Sequence, residues 1–431
     1  MISSAAALPS SAEVVVVGAG VAGLACARHL DAAGLGVVVV EAARTVGGRV
    51  RSEVVGNFRV DRGFQLLNPA YPEVRRVLDL EALRLQTFDA GVAVARDGVV
   101  STVRDPRRHP LSLVKALRFP IGDTAEKVAA VRWALGAGSA RSLRAEDGPW
   151  GEALDDAEID GELREQVIEP FLAGVLGEAD GSTSRRFVDL LLKSFLRGTP
   201  GLPARGMQAV PDQLAKGLPR GSIVTGVEVR HAGHGPRSLV VETTEGGLTA
   251  DAIVVATDAA AAAHIVHAPE LPPARGLSTF WYATLNSPVP HERAKLLHLD
   301  GDRSGPVVNT AVVSEVAPSY VVTDSERRSL VSAQTLGADT SAATEAAVRA
   351  QLGRIYSEDT SAWSLVAAHE IPEALPVVPA PFTGPKPVSL GEGIYLAGDH
   401  RENASLQGAL VSGRRAADAL VADLRQGRRA G

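Results

Sequence analysis

The chain of 431 residues has one cysteine, Cys26, so it can build neither an internal disulfide nor a cysteine-rich metal site. Aromatic residues make up only 4% of it, too few for base-stacking platforms along a nucleic acid. Basic charge is not in excess: 44 Lys and Arg against 50 Asp and Glu leave a net −6, which excludes an overall nucleic-acid footprint. Lysine is scarce, six against 38 arginines, which leaves few amines for chemistry. No apolar run reaches the roughly 18 residues of a membrane-spanning helix. Met1 to Glu13 carries no basic residue ahead of its small apolar stretch, so it makes a poor signal peptide, and a cytoplasmic location is expected.

What remains is an ordinary globular balance, 45% hydrophobic and 22% charged, in a length that suggests two or three domains. Glycine is abundant, at 43 residues, and its clusters mark places where backbone must come close to something. Glu13–Val17 reads as a buried strand, Gly18-Ala19-Gly20-Val21-Ala22-Gly23 follows, and Leu24 to Ala33 has helical periodicity until Gly34 and Gly36 stop it. Val37–Val40 is a second valine strand, ending at Glu41. Neither strand alternates, as expected of a parallel βαβ unit covered on both faces. In Gly18-x-Gly20-x-x-Gly23, the first glycine permits the tight turn, the second lets backbone approach a pyrophosphate, and the third lets helix and strand pack closely. The helix N-terminus offers free N–H groups, including those of Val21 and Ala22, to phosphate. Glu41 lies 23 residues after Gly18, where a carboxylate can take ribose hydroxyls. Dinucleotide binding follows, with NAD and FAD both open at this point.

The next residues are Ala42, Arg44 and then Thr45-Val46-Gly47-Gly48-Arg49, with Asp61-Arg62-Gly63-Phe64-Gln65 further on. Together with Glu41 they resemble the flavin amine oxidase and phytoene desaturase superfamily, whose GGR stretch brings backbone and a guanidinium fork to the cofactor. Gly206-Met207-x-x-Val210-Pro211, Ala252–Ala256 with Thr257-Asp258, and Gly393 to Asp399 are similar to other segments of that family, as is Gln407-Gly408-Ala409-Leu-Val-Ser412-Gly413. The resemblance implies non-covalent FAD. Gly18, Gly20, Val21, Ala22, Gly23, Glu41, Ala42, Arg44, Gly47, Gly48, Arg49 and Gln65 are expected at the cofactor. So are Gly398, Asp399, Gln407, Gly408 and Ala409. Val227, expected in a short strand after Thr225, would hold adenine through its backbone. A helix beginning near Gly408 would point its N-terminus at the flavin.

The implied fold class is α/β, with a discontinuous, doubly wound FAD-binding domain at 1–72, 205–265 and 385–431. An α+β substrate domain, with antiparallel sheet and helical cap, would take 73–204 and 266–384. Helices are expected at Tyr71–Leu85, Thr124–Leu135, Gly161–Phe171, Arg185–Leu196, Ser341–Ile355 and Ser405–Leu424. Strands are expected at Ser222–Arg230, Ser238–Thr244, Leu277–Leu285, Pro306–Val313, Tyr320–Val322 and Leu330–Leu336.

Two departures bear on substrate. Amine oxidases place an aromatic residue where this chain has Ser405, and their sheet carries a lysine near the flavin, for which only Lys295 is near the comparable sheet. The pattern around Ala404-Ser405 is closer to the phytoene desaturases. The expected activity is therefore FAD-dependent hydride abstraction from an apolar, isoprenoid-like substrate, with oxygen or a quinone as possible acceptor. An amine oxidase, a non-redox flavin isomerase and a non-catalytic FAD-binding protein remain alternatives. No catalytic acid or base and no metal ligand stands out. His400 is weighed as a group near the ring, with local packing preferred; Cys26 and the strand aromatics Phe280, Trp281 and Tyr282 read as core. Leu111–Pro120 and Phe187–Leu196 are basic and apolar enough to touch a membrane surface, though core or tunnel lining is the preferred reading.

Overall fold

The computed structural model describes residues 7–105, 119–139, 142, 144–267, 271–323 and 328–430. Most of the expected basic and apolar stretch at 111–120 lies outside them. Two large sheets organise these residues. The first has eight strands, and its centre is the valine-rich pair anticipated from sequence: Ser11–Val17 runs parallel to Val37–Glu41 on one side and to Gly246–Val255 on the other. Ile223–Thr225 extends it beyond Val37–Glu41. Ile394–Leu396 joins in parallel against Ile253–Val255, so the C-terminal segment returns to the same sheet as the N-terminal one. Val14, Val15 and Val16 have no exposed surface, which explains why these strands do not alternate.

The second sheet has seven strands, in the order Ser364–Pro376, Ala274–Thr284, Ser329–Leu336, Val307–Val312, Leu297–Asp300, Gly91–Arg96, Val99–Arg104. It is antiparallel except where Leu297–Asp300 meets Gly91–Arg96. Phe280 and Tyr282 project into the core under the helix Ala342–Tyr356, and Trp281 points the other way, into the cluster shared with the first sheet. All three are buried, as the core reading of these aromatics expects.

Several elements differ from the sequence expectation, each for a local reason. Tyr71–Leu85 is not one helix: Pro72–Val77 stops at the extended Leu78, and Asp79 caps a new turn, Leu80–Leu83, by accepting from the Ala82 N–H. Within Gly161–Phe171, Arg164–Ile168 is a π-helical turn leading into Glu169–Leu176. Pro170 has no N–H to continue the ladder there. Ser222–Arg230 is split by Gly226, at φ +79°, into Ile223–Thr225 and Val229–His234, on opposite edges of the first sheet. Tyr320 belongs to a 3₁₀ turn, Pro318–Tyr320, rather than a strand, because its hydroxyl is drawn to Asp61. The hairpin Gly91–Arg96/Val99–Arg104 was not anticipated, although Asp97-Gly98, both at positive φ, is a strong turn signal between apolar runs.

The first helix (Val21–Ala32) and the last (Leu406–Ala430) pack against each other. A Cβ at Gly413 would collide with the Ala22 carbonyl oxygen, so only glycine permits this approach. Cys26 is fully buried in the same seam, where burial pushes its thiol pKa up and leaves it inert.

Candidate cofactor site

The glycine loop connects the end of Ser11–Val17 to the first helix. Gly18 takes φ +98°, and a Cβ there would stand 2.9 Å from the Ala256 carbonyl oxygen. Gly23 is held just as tightly, since a Cβ would strike the Gly18 carbonyl oxygen. Gly20 is different. It is the N-cap residue, in extended backbone, no side chain caps the helix, and a Cβ there would meet nothing within 4 Å. The protein itself gives no steric reason for glycine at 20. The first-turn N–H groups of Val21, Ala22 and Gly23 have no acceptor within the helix and face the same end.

Gly47 and Gly48 close one side of this space. Gly47 donates its N–H to the Ala19 carbonyl at 2.9 Å and bridges to Gly20. A Cβ on Gly48 would stand 3.4 Å from the Gly20 Cα. Arg49 then reaches across 350 residues to Asp399, donating from Nη2 to Oδ1 at 2.7 Å, and from Nη1 to the Ala374 carbonyl at 2.9 Å. Burial works against the guanidinium charge, but Asp399, together with Asp258 and Glu373, outweighs it and raises the Arg49 pKa. Gln65 donates to the Arg49 carbonyl, so it is fixed behind this pair.

Glu41 is buried, and both its oxygens are engaged by backbone: Oε2 accepts from Ala19 N–H at 2.6 Å and Oε1 from Ala43 N–H at 2.8 Å. The carboxylate thus holds the glycine loop to the second strand, leaving only its remaining lone pairs for a ribose. Val227 lies in the connection after Gly226, not in a strand, and its N–H is taken by the Glu41 carbonyl, so its own carbonyl is the group still available. Ala42 and Arg44 are exposed on the turn beyond, and Arg44 has no hydrogen-bond partner among the described residues.

At the other end of the chain, Gly398 donates its N–H to Ser412 Oγ at 2.9 Å, which ties the strand end to the last helix. That helix starts at Leu406, two residues before Gly408. Its cap is Ser405, whose Oγ accepts from the Gly408 N–H at 3.0 Å. Gln407 turns aside and accepts from the Glu73 N–H, whereas Ala409 sits half-buried in the first turn. Lys295 is exposed at the start of Leu297–Asp300.

Two residues have more weight in the structure than in the sequence. Asp61 is almost fully buried; it accepts from Tyr320 Oη at 2.6 Å, from Met207 N–H at 3.0 Å and from the Ser52 hydroxyl. Burial raises its pKa to about 6 against the pull of those donors. His400 is 4% exposed, and neither ring nitrogen has a partner. Burial lowers its pKa to about 4, so it is neutral at pH 7. The open space at Gly20 and the uncapped helix end fit a bound dinucleotide. Among the described residues no cluster of three or more His, Cys, Asp or Glu could hold a metal.

Residues 21–421 match the model of the flavin-containing amine oxidoreductases. The chain belongs to that family. It is thus a member of a flavin-containing oxidoreductase family with a mixed α/β fold, as expected from its sequence. Among curated relatives it is 45% identical over 75 residues to protoporphyrinogen oxidase 2 of Arabidopsis thaliana and 41% identical over 93 residues to putrescine oxidase of Kocuria rosea. It is 26% identical over 293 residues to L-amino acid dehydrogenase of Synechocystis sp.. The matches cover 17%, 21% and 62% of this chain and span 15%, 20% and 60% of those proteins. In overall fold it resembles a solved protein designated protoporphyrinogen oxidase from Exiguobacterium sp. 255-15, with TM-score 0.72, 17% identity, and 97% and 100% of the two chains covered. A putrescine oxidase bound to putrescine gives TM-score 0.70 at 18% identity, covering 96% and 99%. No helix among the described residues is long and apolar enough to cross a membrane.

Proposed function

We propose that the enzyme oxidises an apolar, isoprenoid-like substrate by removing hydride from a C–H bond, as in a desaturation. Bound FAD would supply the hydride-accepting chemistry, with oxygen or a quinone as the electron acceptor. The residues at Gly18 to Gly23, Glu41, Gly47 to Arg49, Gly398, Asp399 and the start of the last helix would hold the cofactor. Ala42, Arg44, Gln65 and the Val227 carbonyl would add to the binding of its two ends. The division into cofactor segments at 1–72, 205–265 and 385–431 and substrate segments between them belongs to the same reading. Each large sheet draws its strands from one set only.

The observation that carries the substrate reading is Ser405. It stands where amine oxidases have an aromatic wall, and its hydroxyl is committed as a helix cap. Lys295, exposed at a strand start, offers no replacement for the sheet lysine. A pocket without those groups holds its substrate mainly by burial, at about 25 cal/mol per Å² of apolar surface. The second reading is amine oxidation, favoured by the likeness to putrescine oxidase over 93 residues. Anaerobic mixing of the yellow holoenzyme with polyenes and with primary amines or amino acids decides between them. Bleaching of flavin absorbance by a long apolar polyene, with amines inert, is the expected result; rapid bleaching by a small amine would overturn it.

A further inference from the structure

Among the buried titratable groups of the described residues that the proposed reaction does not use, His400 is the histidine with neither ring nitrogen partnered. His400 has two polar ring atoms, each with less than 1 Å² of exposed surface and no hydrogen-bond partner. Folded proteins rarely leave such atoms unpaired, because each forfeits its hydration without compensation. Local structure does not explain the residue either. Its ring lies directly over Gly398, where a Cβ would collide with Cε1 and Nδ1. Both the backbone, at φ +154°, and the imidazole therefore favour glycine at 398. An apolar side chain at 400 would fill the same volume without orphaned nitrogens.

The backbone of His400 links it to the cofactor site, and its ring lies on Gly398 there. His400 donates its backbone N–H to Asp399 Oδ1, the oxygen that receives Arg49. Arg49 follows Gly48, which lies against Gly20, where the protein leaves open space. Next to His400 in sequence, the Arg401 carbonyl accepts from the Lys386 backbone N–H at 2.9 Å. A neutral imidazole presents one donor and one acceptor. FAD carries both complements, in its ribityl hydroxyls and in its phosphate and flavin oxygens.

We propose that His400 is a cofactor-contacting residue, its buried ring nitrogens paired by FAD in the holoenzyme. This rests on the assignment of the cradle to FAD, so wild-type binding is measured first: an apoprotein that takes up no FAD would overturn that assignment and leave His400 aside. The test compares full-length wild type, His400→Phe and His400→Gln, each stripped of flavin. FAD titration followed by fluorescence quenching reads affinity, apoprotein melting reads the fold, and the bound flavin spectrum reads its surroundings. His400→Phe should melt as apoprotein no lower than wild type, bind FAD at least tenfold more weakly and shift the flavin absorption bands. His400→Gln, which restores one donor and one acceptor, should recover affinity to within about threefold. FAD affinity for His400→Phe within twofold of wild type, with an unchanged spectrum, would overturn the proposal. So would a loss of affinity matched by an equal loss of apoprotein melting temperature in both variants, which would make His400 a packing residue. His400→Leu replaces His400→Phe in the same comparison if the larger ring prevents folding.

Discussion

The helix seam and the cofactor cradle are built by the same two segments, yet one is finished by the protein and the other is not. In the seam every special residue has a partner within the chain. Gly23 fits under the Gly18 carbonyl, Gly413 fits against the Ala22 carbonyl, and Cys26 is sealed between them. In the cradle, Gly20 borders empty space, Arg44 has no partner among the described residues, and His400 buries two unpaired nitrogens. Identical residue types thus answer to different forces. Gly413 is glycine because backbone is in the way, whereas at Gly20 the chain leaves open space that the proposed cofactor would fill. The contrast predicts that substitutions in the two regions separate stability from cofactor affinity.

The largest effect is expected in the seam. Gly413→Val would drive a side chain into the Ala22 backbone and should cost more than about 3 kcal/mol, enough to unfold much of the apoprotein. Denaturant melts of apoprotein check this, and a stability within 1 kcal/mol of wild type would show that the seam yields. Gly20→Val reverses the pattern. Its extended backbone accepts valine, so apoprotein stability should stay within about 0.5 kcal/mol. FAD retention should fall by roughly a thousandfold, about 4 kcal/mol, because the side chain occupies the phosphate space. Equal FAD content in the purified variant and wild type would remove the distinction between the two regions.

Acid should sharpen the comparison. His298 and His400 are both buried, with pKa values lowered to about 4 chiefly by burial, although the His298 ring nitrogen has the Arg293 carbonyl as partner. Between pH 6.5 and 4 the unfolded chain binds protons that the folded one refuses, so stability drops as pH falls through that window. The loss approaches about 3 kcal/mol for each histidine. Asp61, raised to about 6, acts oppositely, losing stability as pH rises from about 4 to 6. Apoprotein melts at pH 7 and pH 4.5 should show a net acid loss, and His298→Gln should remove most of it, because Asp61 already offsets much of what the two histidines lose together. No change with pH would mean that neither ring is buried as described. The smallest effect belongs to Arg44→Ala. This exposed residue should change apoprotein stability by less than about 0.5 kcal/mol and weaken FAD only a few-fold, measured by flavin titration.

Much of the first sheet was legible because its signals are local. Four successive valines, a glycine loop and a second valine strand ending in an acid need no distant partner to be recognised. The second sheet was legible only in part. Leu297–Asp300 and Ser364–Pro376 went unread because pairing partners supply their order. Leu297–Asp300 is stabilised by Gly91–Arg96, some two hundred residues earlier, and Ser364–Pro376 by Ala274–Thr284. In the site, the motif glycines could be named from spacing, but their separate reasons could not. Asp61 was visible only as part of a stretch, since its burial depends on Tyr320, Met207 and Ser52.

By itself the sequence determined the identity of the cofactor-binding framework, because a strand, a glycine loop, a helix and an acid at set spacing interact within one short stretch of chain. Only the tertiary structure decided how that framework is closed. Arg49 finds Asp399 across 350 residues, Ser412 anchors Gly398, and Gly413 admits the last helix to the first. It also decided which groups are left over. Whether a histidine nitrogen or a glycine hydrogen faces a partner or a void depends on what the rest of the chain brings to it, and no local pattern encodes that.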